Sequence, residues 1–444
     1  MKFARIPGIL GDLVRANIAF LTNENQRGQM RAAIQTGAFD RRTEALIDGD
    51  VAAAPAAAFP FARLSSGSLA LTGIRVASGE PGRLNLVVGE VEPSKVFAGI
   101  HTALTAAAEL ATKLGLRLRV VMLDATTPGN SERAVASYLA ETLGLSSVDV
   151  VMREGIRSRT YGSDDIWLAS HSKTAHAIQV ACDTGVIDRR RVAYLIQDYE
   201  PGFSAWSTES VLARSTYHAG FLPVVNSLPL WTYLQRAEQL ELPRELVFAP
   251  RFEAAKLEEA AAARKAHPRV RVLYYGRRSK HRNLFALGLS ALRATALELG
   301  ASDPKVEFVS AGEQHDTIDL GHGARLTSRG RIAWNDYFSF LSTVDVALSL
   351  QLSPHPSHPP FDAAISGALA VTNDFDGVRA GLHPRIAAVE PTTRDLSAAI
   401  TSAVRERAGR DPLPYLPVAE GALGADWDDV VDTVAERLST GHGA

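Results

Sequence analysis

The stretch Val270–Phe285 reads VRVLYYGRRSKHRNLF. Its first six residues form a short run that is apolar but for Arg271, suited to a buried strand. Gly276 then breaks the run, four cations fall between Arg277 and Arg282, and a helical pattern begins at Asn283. Strand, tight turn and helix together open a βαβ unit. Downstream the rhythm predicts helix Asn283–Leu299, strands Val306–Val309 and Ala324–Leu326, and helix Ala333–Leu341. Strand Val344–Leu350, helix Pro360–Ser366 and strand Ala368–Thr372 follow.

The same rhythm runs upstream. Strands are expected at Arg83–Val88, Leu116–Leu123, Val148–Val151, Ile166–Ala169 and Val192–Ile196. Helices fit between them at Phe97–Leu114, Ser131–Thr142 and Lys173–Thr184. Residues 207–240 read as helix, loop and helix, and Leu246–Ala249 as an inter-domain crossing. The fold class is therefore α/β, with two Rossmann-like domains facing a central cleft, 83–245 and 246–405. Residues 1–82 form an N-terminal extension of unknown role. It contains short helices at Arg27–Ala33 and Glu44–Ile47 and ends at the breaker Gly79–Gly82. Residues 406–444 form a tail whose amphipathic segment Trp427–Leu438 is expected to pack back on the first domain.

Composition narrows the function. The 444 residues are 46% hydrophobic and 22% charged, too apolar for a disordered chain. Lys+Arg total 47 against 49 Asp+Glu, a net charge of -2, which argues against nucleic acid as a partner. The single cysteine, Cys182, excludes an intrachain disulfide and a Cys-rich zinc site, and is expected as a small buried hydrophobe. Met1–Val14 is interrupted by Lys2, Arg5, Pro7, Gly8 and Asp12, unlike a signal peptide. Val51–Phe61 is too short to span a bilayer and contains Pro55 and Pro60. The expectation is a cytoplasmic chain without a transmembrane segment, compatible with peripheral association at the inner membrane face and with a homodimer.

Ligands of open parallel sheets bind beyond the C-terminal strand ends, which selects four loops. Gly276 lets the backbone turn closely, and Arg277, Arg278, Lys280 and Arg282 before a helix N-terminus suit a diphosphate. The proline-stiffened loop Ser353–Phe361 offers His355 and Ser357, followed by Asp362 near a helix start, where a carboxylate can accept hydrogen bonds from sugar or ribose hydroxyls. His355 and His358 find no third metal ligand, so no metal is expected. Gln197, Asp198, Tyr199 and Glu200 set carboxylates and an amide beside aromatic rings, a sugar-recognition edge. Gly99, at a helix start after the first strand, would let substrate approach the backbone. Each loop also has a plainer reading: a solvated charged turn, a rigid turn with exposed imidazoles, a first-turn helix charge, a capped turn. No G-x-x-x-x-G-K-[ST] or H-E-x-x-H motif occurs.

The segments Leu195–Phe203, Tyr274–Phe285 and Leu350–Pro360 continuing through Ser366–Asn373 resemble the corresponding motifs of WsaF-type bacterial rhamnosyltransferases of glycosyltransferase family 4. They occur in the family's order, within a similarity spanning roughly 83–405. The resemblance implies a GT-B fold and a retaining hexosyltransferase that needs no metal or other cofactor. It implies dTDP-β-L-rhamnose as donor and a cell-surface glycan as acceptor. Arg277 with Lys280 or Arg282 would hold the diphosphate and be the main catalytic determinants. Asp362 matches the second acid of the family's E-x7-E element, with Gly367 and Ala368 on the loop after it. Two departures stand out: the second acid is Asp rather than Glu, and Pro354 occupies the position of the first. A nucleotide-sugar epimerase and a non-catalytic nucleotide-sugar or glycan-binding protein are the alternatives.

Overall fold

A computed structural model describes residues 67–92, 98–124, 131–300 and 305–441. Met1–Val14, the short helices expected at Arg27–Ala33 and Glu44–Ile47, and Val51–Phe61 lie outside the described residues. From Ala70 onward the chain forms one compact unit.

The first half is built on seven strands: β1 (Arg83–Val88), β2 (Arg117–Met122), β3 (Asp149–Val151), β4 (Ile166–Ala169), β5 (Val192–Ile196), β6 (Leu222–Asn226) and β7 (Val247–Phe248). They are all parallel, in the order β3-β2-β1-β4-β5-β6-β7. Helices α1 (Ala98–Lys113), α2 (Glu132–Leu143), α3 (Ser172–Asp183), α4 (Thr208–Ser215) and α5 (Leu228–Glu238) belong to this half. The strands are buried on both faces because helices cover both. Leu84, Leu86 and Val88 point into one apolar cluster and Val87 into another.

Three stretches differ from the expectation drawn from the sequence. The stretch taken as a loop between helices contains β6, and the supposed crossing contains β7. Pro223 weakens the strand signal, since proline cannot donate to a ladder. Its position resolves the conflict: β7 pairs only with Val225 and Asn226, so Pro223 has a neighbour on the β5 side alone. Residues 70–77, read as part of the extension, join the first half. Arg75–Ala77 pairs with Thr160–Gly162 in a short parallel ribbon, and Leu71 and Ile74 are buried in the same cluster as Val87 and Trp167.

After α6 (Ala254–Ala262) comes a second sheet: β8 (Val270–Gly276), β9 (Val306–Gly312), β10 (Ile318–Gly321), β11 (Ala324–Ser328), β12 (Val346–Ser349), β13 (Leu369–Asn373) and β14 (Ile386–Val389). Its order is β10-β11-β9-β8-β12-β13-β14, parallel except for the β10–β11 hairpin. Helices α7 (Phe285–Leu299), α8 (Trp334–Leu341), α9 (His358–Ile365) and α10 (Thr393–Arg407) accompany it. Strands β10 and β14 went unread because each is short and half-exposed, which removes the apolar run that marks the central strands.

The tail ends in α11 (Trp427–Thr440), capped by Asp426, whose side chain accepts from the Asp428 amide. Trp427 meets the Phe248 ring edge-on at 4.9 Å. Val430, Val431, Val434 and Leu438 enter the cluster that also buries Leu104 and Leu110 of α1. Full burial of each such side chain contributes about 1.5–3 kcal/mol, ample to hold the tail on the first half. Cys182 packs against that half's second cluster, and burial pushes its thiol up to about 12.

Candidate active site

Each sheet has a point where successive strands are laid down in opposite directions, and ligands of such sheets bind at the C-terminal ends there. In the first sheet that point lies between β1 and β4, in the second between β8 and β12. The loops leaving β8 and β12 are the cationic turn and the proline-rich loop. They are bonded together: the Leu352 amide donates to the Arg282 carbonyl at 2.6 Å, and Asn283 Nδ2 donates to the Leu350 carbonyl at 3.3 Å. Both loops carry a non-glycine residue in the left-handed region, Leu284 at φ 49° and Ser357 at φ 65°. Such conformations cost roughly 1–2 kcal/mol each and persist only where surrounding contacts impose them.

The loop leaving β5 reaches across to this pair. Asp198 is buried; its carboxylate accepts from Ser353 Oγ and from the Tyr199 amide at 2.8 Å, and lies 3.5 Å from Arg282 Nη1. Burial raises its pKa, while Arg282 and Ser353 act against the rise. Arg282 is also stacked over Phe203, its guanidinium carbon 4.0 Å from the ring centroid. One arginine of the cationic turn is thus held by two residues of the opposite half. Further contacts between the halves are Arg236 with the Asp376 carbonyl at 2.7 Å and Tyr233 edge-on to Phe375 at 5.2 Å.

Within the turn, Gly276 is required by space: a Cβ there would come within 2.8 Å of the Phe285 ring. Arg277 lies 3.8 Å from Glu313, which also accepts from the Ser279 amide at 2.9 Å. Arg278 and Lys280 are exposed. The cations therefore differ in setting: Arg277 and Arg282 are held in place, Arg278 and Lys280 project into solvent.

Gln197 donates to the Gly99 carbonyl at 3.0 Å, which brings those two candidates together beside β1. Glu200 turns the other way. It accepts from both the amide (2.8 Å) and the hydroxyl (2.6 Å) of Ser172 at the start of α3, and burial pushes its carboxyl up to about 7 despite those bonds. The Tyr199 hydroxyl donates to Glu238 at 2.6 Å, and its ring packs on Tyr217 and Tyr233. Tyr199 therefore braces the loop from behind.

On the β12 loop, the His355 Nδ1 accepts from the Ser357 amide at 3.1 Å. Burial, with His358, Arg379 and Arg282 nearby, brings His355 down to about 3, so its ring is neutral. His358 meets the Phe252 ring edge-on at 5.2 Å. Asp362 is not at a helix start. Helix α9 begins at His358, so Asp362 is its fifth residue and no acid stands in the first turn. It is buried and accepts from the Tyr337 hydroxyl at 3.0 Å, and burial pushes it up to about 7. Gly367 and Ala368 are not brought to this group. They precede β13, at the end of the sheet away from the cleft, where Gly367 is crowded by the Leu413 carbonyl and Arg264. Among the described residues no group of three His, Cys, Asp or Glu side chains is placed to hold a metal ion. No helix among them is long and apolar enough to cross a membrane.

Two participants escaped the sequence reading. Arg379 is buried in the loop after β13. It donates to the carbonyls of Ser353 (2.5 Å) and His355 (2.9 Å) and to that of Asn373 (3.0 Å), fixing the proline-rich loop. His171 follows β4, beside Gly89 and Asp124. Its Nδ1 accepts from the Lys173 amide at 3.2 Å, and burial lowers it to about 4. The C-terminal-edge rule that selected the other loops points to both residues.

Comparison with known proteins agrees with this arrangement. Residues 83–227 match the profile of the WsaF N-terminal domain and residues 270–401 that of the WsaF C-terminal domain. The O-antigen biosynthesis protein RfbC of Myxococcus xanthus is 30% identical over 357 residues, 77% of this chain and 26% of the relative. The chain thus spans about a quarter of that relative's length. Among solved structures, Anabaena Alr3699/HepE in complex with UDP and glucose superposes with a TM-score of 0.50 at 13% identity, covering 81% of this chain and 100% of that one. Sucrose-phosphate synthase from Thermosynechococcus elongatus gives 0.50 at 12% identity, covering 81% and 94%. At those identities the likeness shows the fold, the GT-B arrangement of two Rossmann-like halves. With both halves matched, over well more than half of its length, the chain belongs to the WsaF family.

Proposed function

We propose that the protein is a retaining, metal-independent glycosyltransferase. It moves L-rhamnose from dTDP-β-L-rhamnose to a cell-surface glycan acceptor, on the cytoplasmic side where nucleotide sugars are available. The observation that carries this reading is the meeting of Arg277 and Arg282, at the switch point of the second sheet, with the Asp198 loop of the first. A nucleoside diphosphate suits that turn, since guanidinium groups pair with phosphate oxygens through two parallel hydrogen bonds. In the reaction the bond from the anomeric carbon to the diphosphate breaks and one to the acceptor oxygen forms on the same face. The acceptor's proton passes to the departing phosphate oxygen. Charge grows on the diphosphate as it leaves, and fixed cations stabilise it in place of a metal. Gln197 and Gly99 border the acceptor side, and Asp362 the nucleotide side. Membership of the WsaF family supports the sugar assignment, and the O-antigen role of the Myxococcus relative supports the acceptor class.

The test is a panel of dTDP-, UDP- and GDP-sugars, followed by thermal shift and by nucleotide release with and without acceptor. A ligand at 100 times its Kd stabilises by about 2.7 kcal/mol, so the true donor announces itself. The expected result is a response to dTDP-rhamnose, acceptor-dependent dTDP release and a β-linked product, the donor's own configuration. A response confined to UDP- or GDP-sugars, or an inverted product, overturns the reading. Isomerisation of the donor without an acceptor would make the protein an epimerase. Saturable binding without release would make it a binding protein, a reading that the Pro354 departure keeps in play.

A further inference from the structure

We infer that the segment Phe203–Val211 is an acceptor-saccharide platform, with the Trp206 indole as its stacking surface. The identity of the ligand rests on the glycosyl-transfer reading above; the location does not. Large apolar side chains are seldom left bare without a reason when they cluster. Here Phe203, Trp206 and Val211 are all exposed within nine residues, and Trp206 is fully so. From the opposite half, Leu352 is exposed as well, on the residue whose amide bonds the Arg282 carbonyl. The patch is continuous with the cleft: Phe203 ends the turn that begins at Glu200, and its ring lies under Arg282.

The segment is braced for presentation. Ser210 Oγ donates to the Pro201 carbonyl at 2.9 Å and Ser204 Oγ to Glu209 at 3.1 Å. Ser207 caps α4 by accepting from the Ser210 amide. Trp206 therefore stands on a turn tied across its base, so little backbone freedom remains to be lost when a ligand settles on it.

The surrounding chemistry selects the occupant. A pyranose ring presents a face of C–H groups, which stack on an aromatic face, and a rim of hydroxyls. The segment supplies both complements: the Trp206 ring, and the exposed hydroxyls of Ser207 and Thr208. An anionic lipid surface would call for a cluster of lysine and arginine; none occurs from Tyr199 to Ala213, and Arg282, the cation against Phe203, is paired with Asp198. The patch lies on the first half and adjoins the cationic turn through the Phe203–Arg282 contact.

The experiment uses the full chain with its five tryptophans labelled as 5-fluorotryptophan, the Trp206 resonance being assigned by its loss in Trp206→Phe. An α-L-rhamnose tetrasaccharide, chitotetraose and phosphatidylglycerol vesicles are titrated separately, with no nucleotide present. A wrong donor assignment therefore leaves the result intact. The expected outcome is movement of the Trp206 resonance by a saccharide while that of Trp334, exposed elsewhere on α8, stays put. By isothermal titration, Trp206→Ala weakens saccharide binding about three- to tenfold and Trp206→Phe restores part of it. Leu297→Ser, on exposed α7 surface, changes nothing. Movement by vesicles alone, no movement by either saccharide, or unchanged affinity in Trp206→Ala overturns the proposal.

Discussion

Replacing Glu200 by glutamine tests the electrostatics of the cleft through stability. Its carboxyl titrates at 4.5 when unhindered and at about 7 in the folded chain, where burial opposes the charge. The folded state therefore holds this proton more tightly than the unfolded state does. Below pH 4.5 both states are protonated and the site costs nothing. As pH rises from 4.5 to 7 the unfolded chain releases the proton and the folded chain keeps it, so native stability falls. At 1.36 kcal/mol per pH unit, the interval from pH 5 to pH 8 costs the wild type about 2 kcal/mol. Glutamine keeps an oxygen to accept from Ser172 and carries no charge to bury. Glu200→Gln should thus gain on the wild type by about 2 kcal/mol between pH 5 and pH 8, a relative rise of a few degrees in melting temperature. Asp198 and Asp362 remain in both proteins, so their own titrations largely cancel. Parallel melting curves across that range, or a gain as pH falls, would refute the reasoning.

Other perturbations separate the parts of the account. Asp198→Asn keeps the contact with Ser353 and removes the charge facing Arg282. Without that partner, 3.5 Å away, Arg282 is less firmly placed at the cleft, so kcat/KM should fall roughly tenfold, with a loss of about 1 kcal/mol or less in stability. Gly276→Ala drives a methyl against Phe285 and Tyr274. A loss of about 1–3 kcal/mol in chemical denaturation is expected, together with weaker nucleotide binding. Trp427→Ala removes the ring that meets Phe248; it should cost about 3–5 kcal/mol and expose the tail to limited proteolysis. Arg379→Lys keeps the charge but cannot reach the carbonyls of Ser353, His355 and Asn373 together. Donor KM should rise, and saccharide binding at Trp206 should be unaffected.

The central strands were legible because burial on both faces makes them unbroken apolar runs; β4 and β5 fall where the sequence placed them. Edge strands lack that signature. β7 is two residues long, and β10 and β14 are half-exposed, so their pairing is set by neighbours rather than by their own composition. The site divides similarly. Position after a strand picked out the turn at Arg277–Arg282 and the loop at Gln197–Glu200, since topology brings such loops to one edge. Which side chains face the cleft was not legible: Tyr199 turns inward to Glu238, and Asp362 lies in mid-helix against Tyr337. Those outcomes depend on partners 25 or more residues away. Spacing within a motif says nothing of them.

The most direct test of the account is the affinity that the diphosphate alone contributes. Thymidine and dTDP are titrated by calorimetry into the wild type and into Arg277→Ala, Arg282→Ala and the double variant. dTDP is expected to bind the wild type far more tightly than thymidine does. Each charged hydrogen bond removed should take about 1.5–3 kcal/mol from that difference, and the double variant should bring dTDP close to thymidine. A difference that survives in the double variant, with thymidine affinity unchanged, would place the diphosphate elsewhere and contradict the account.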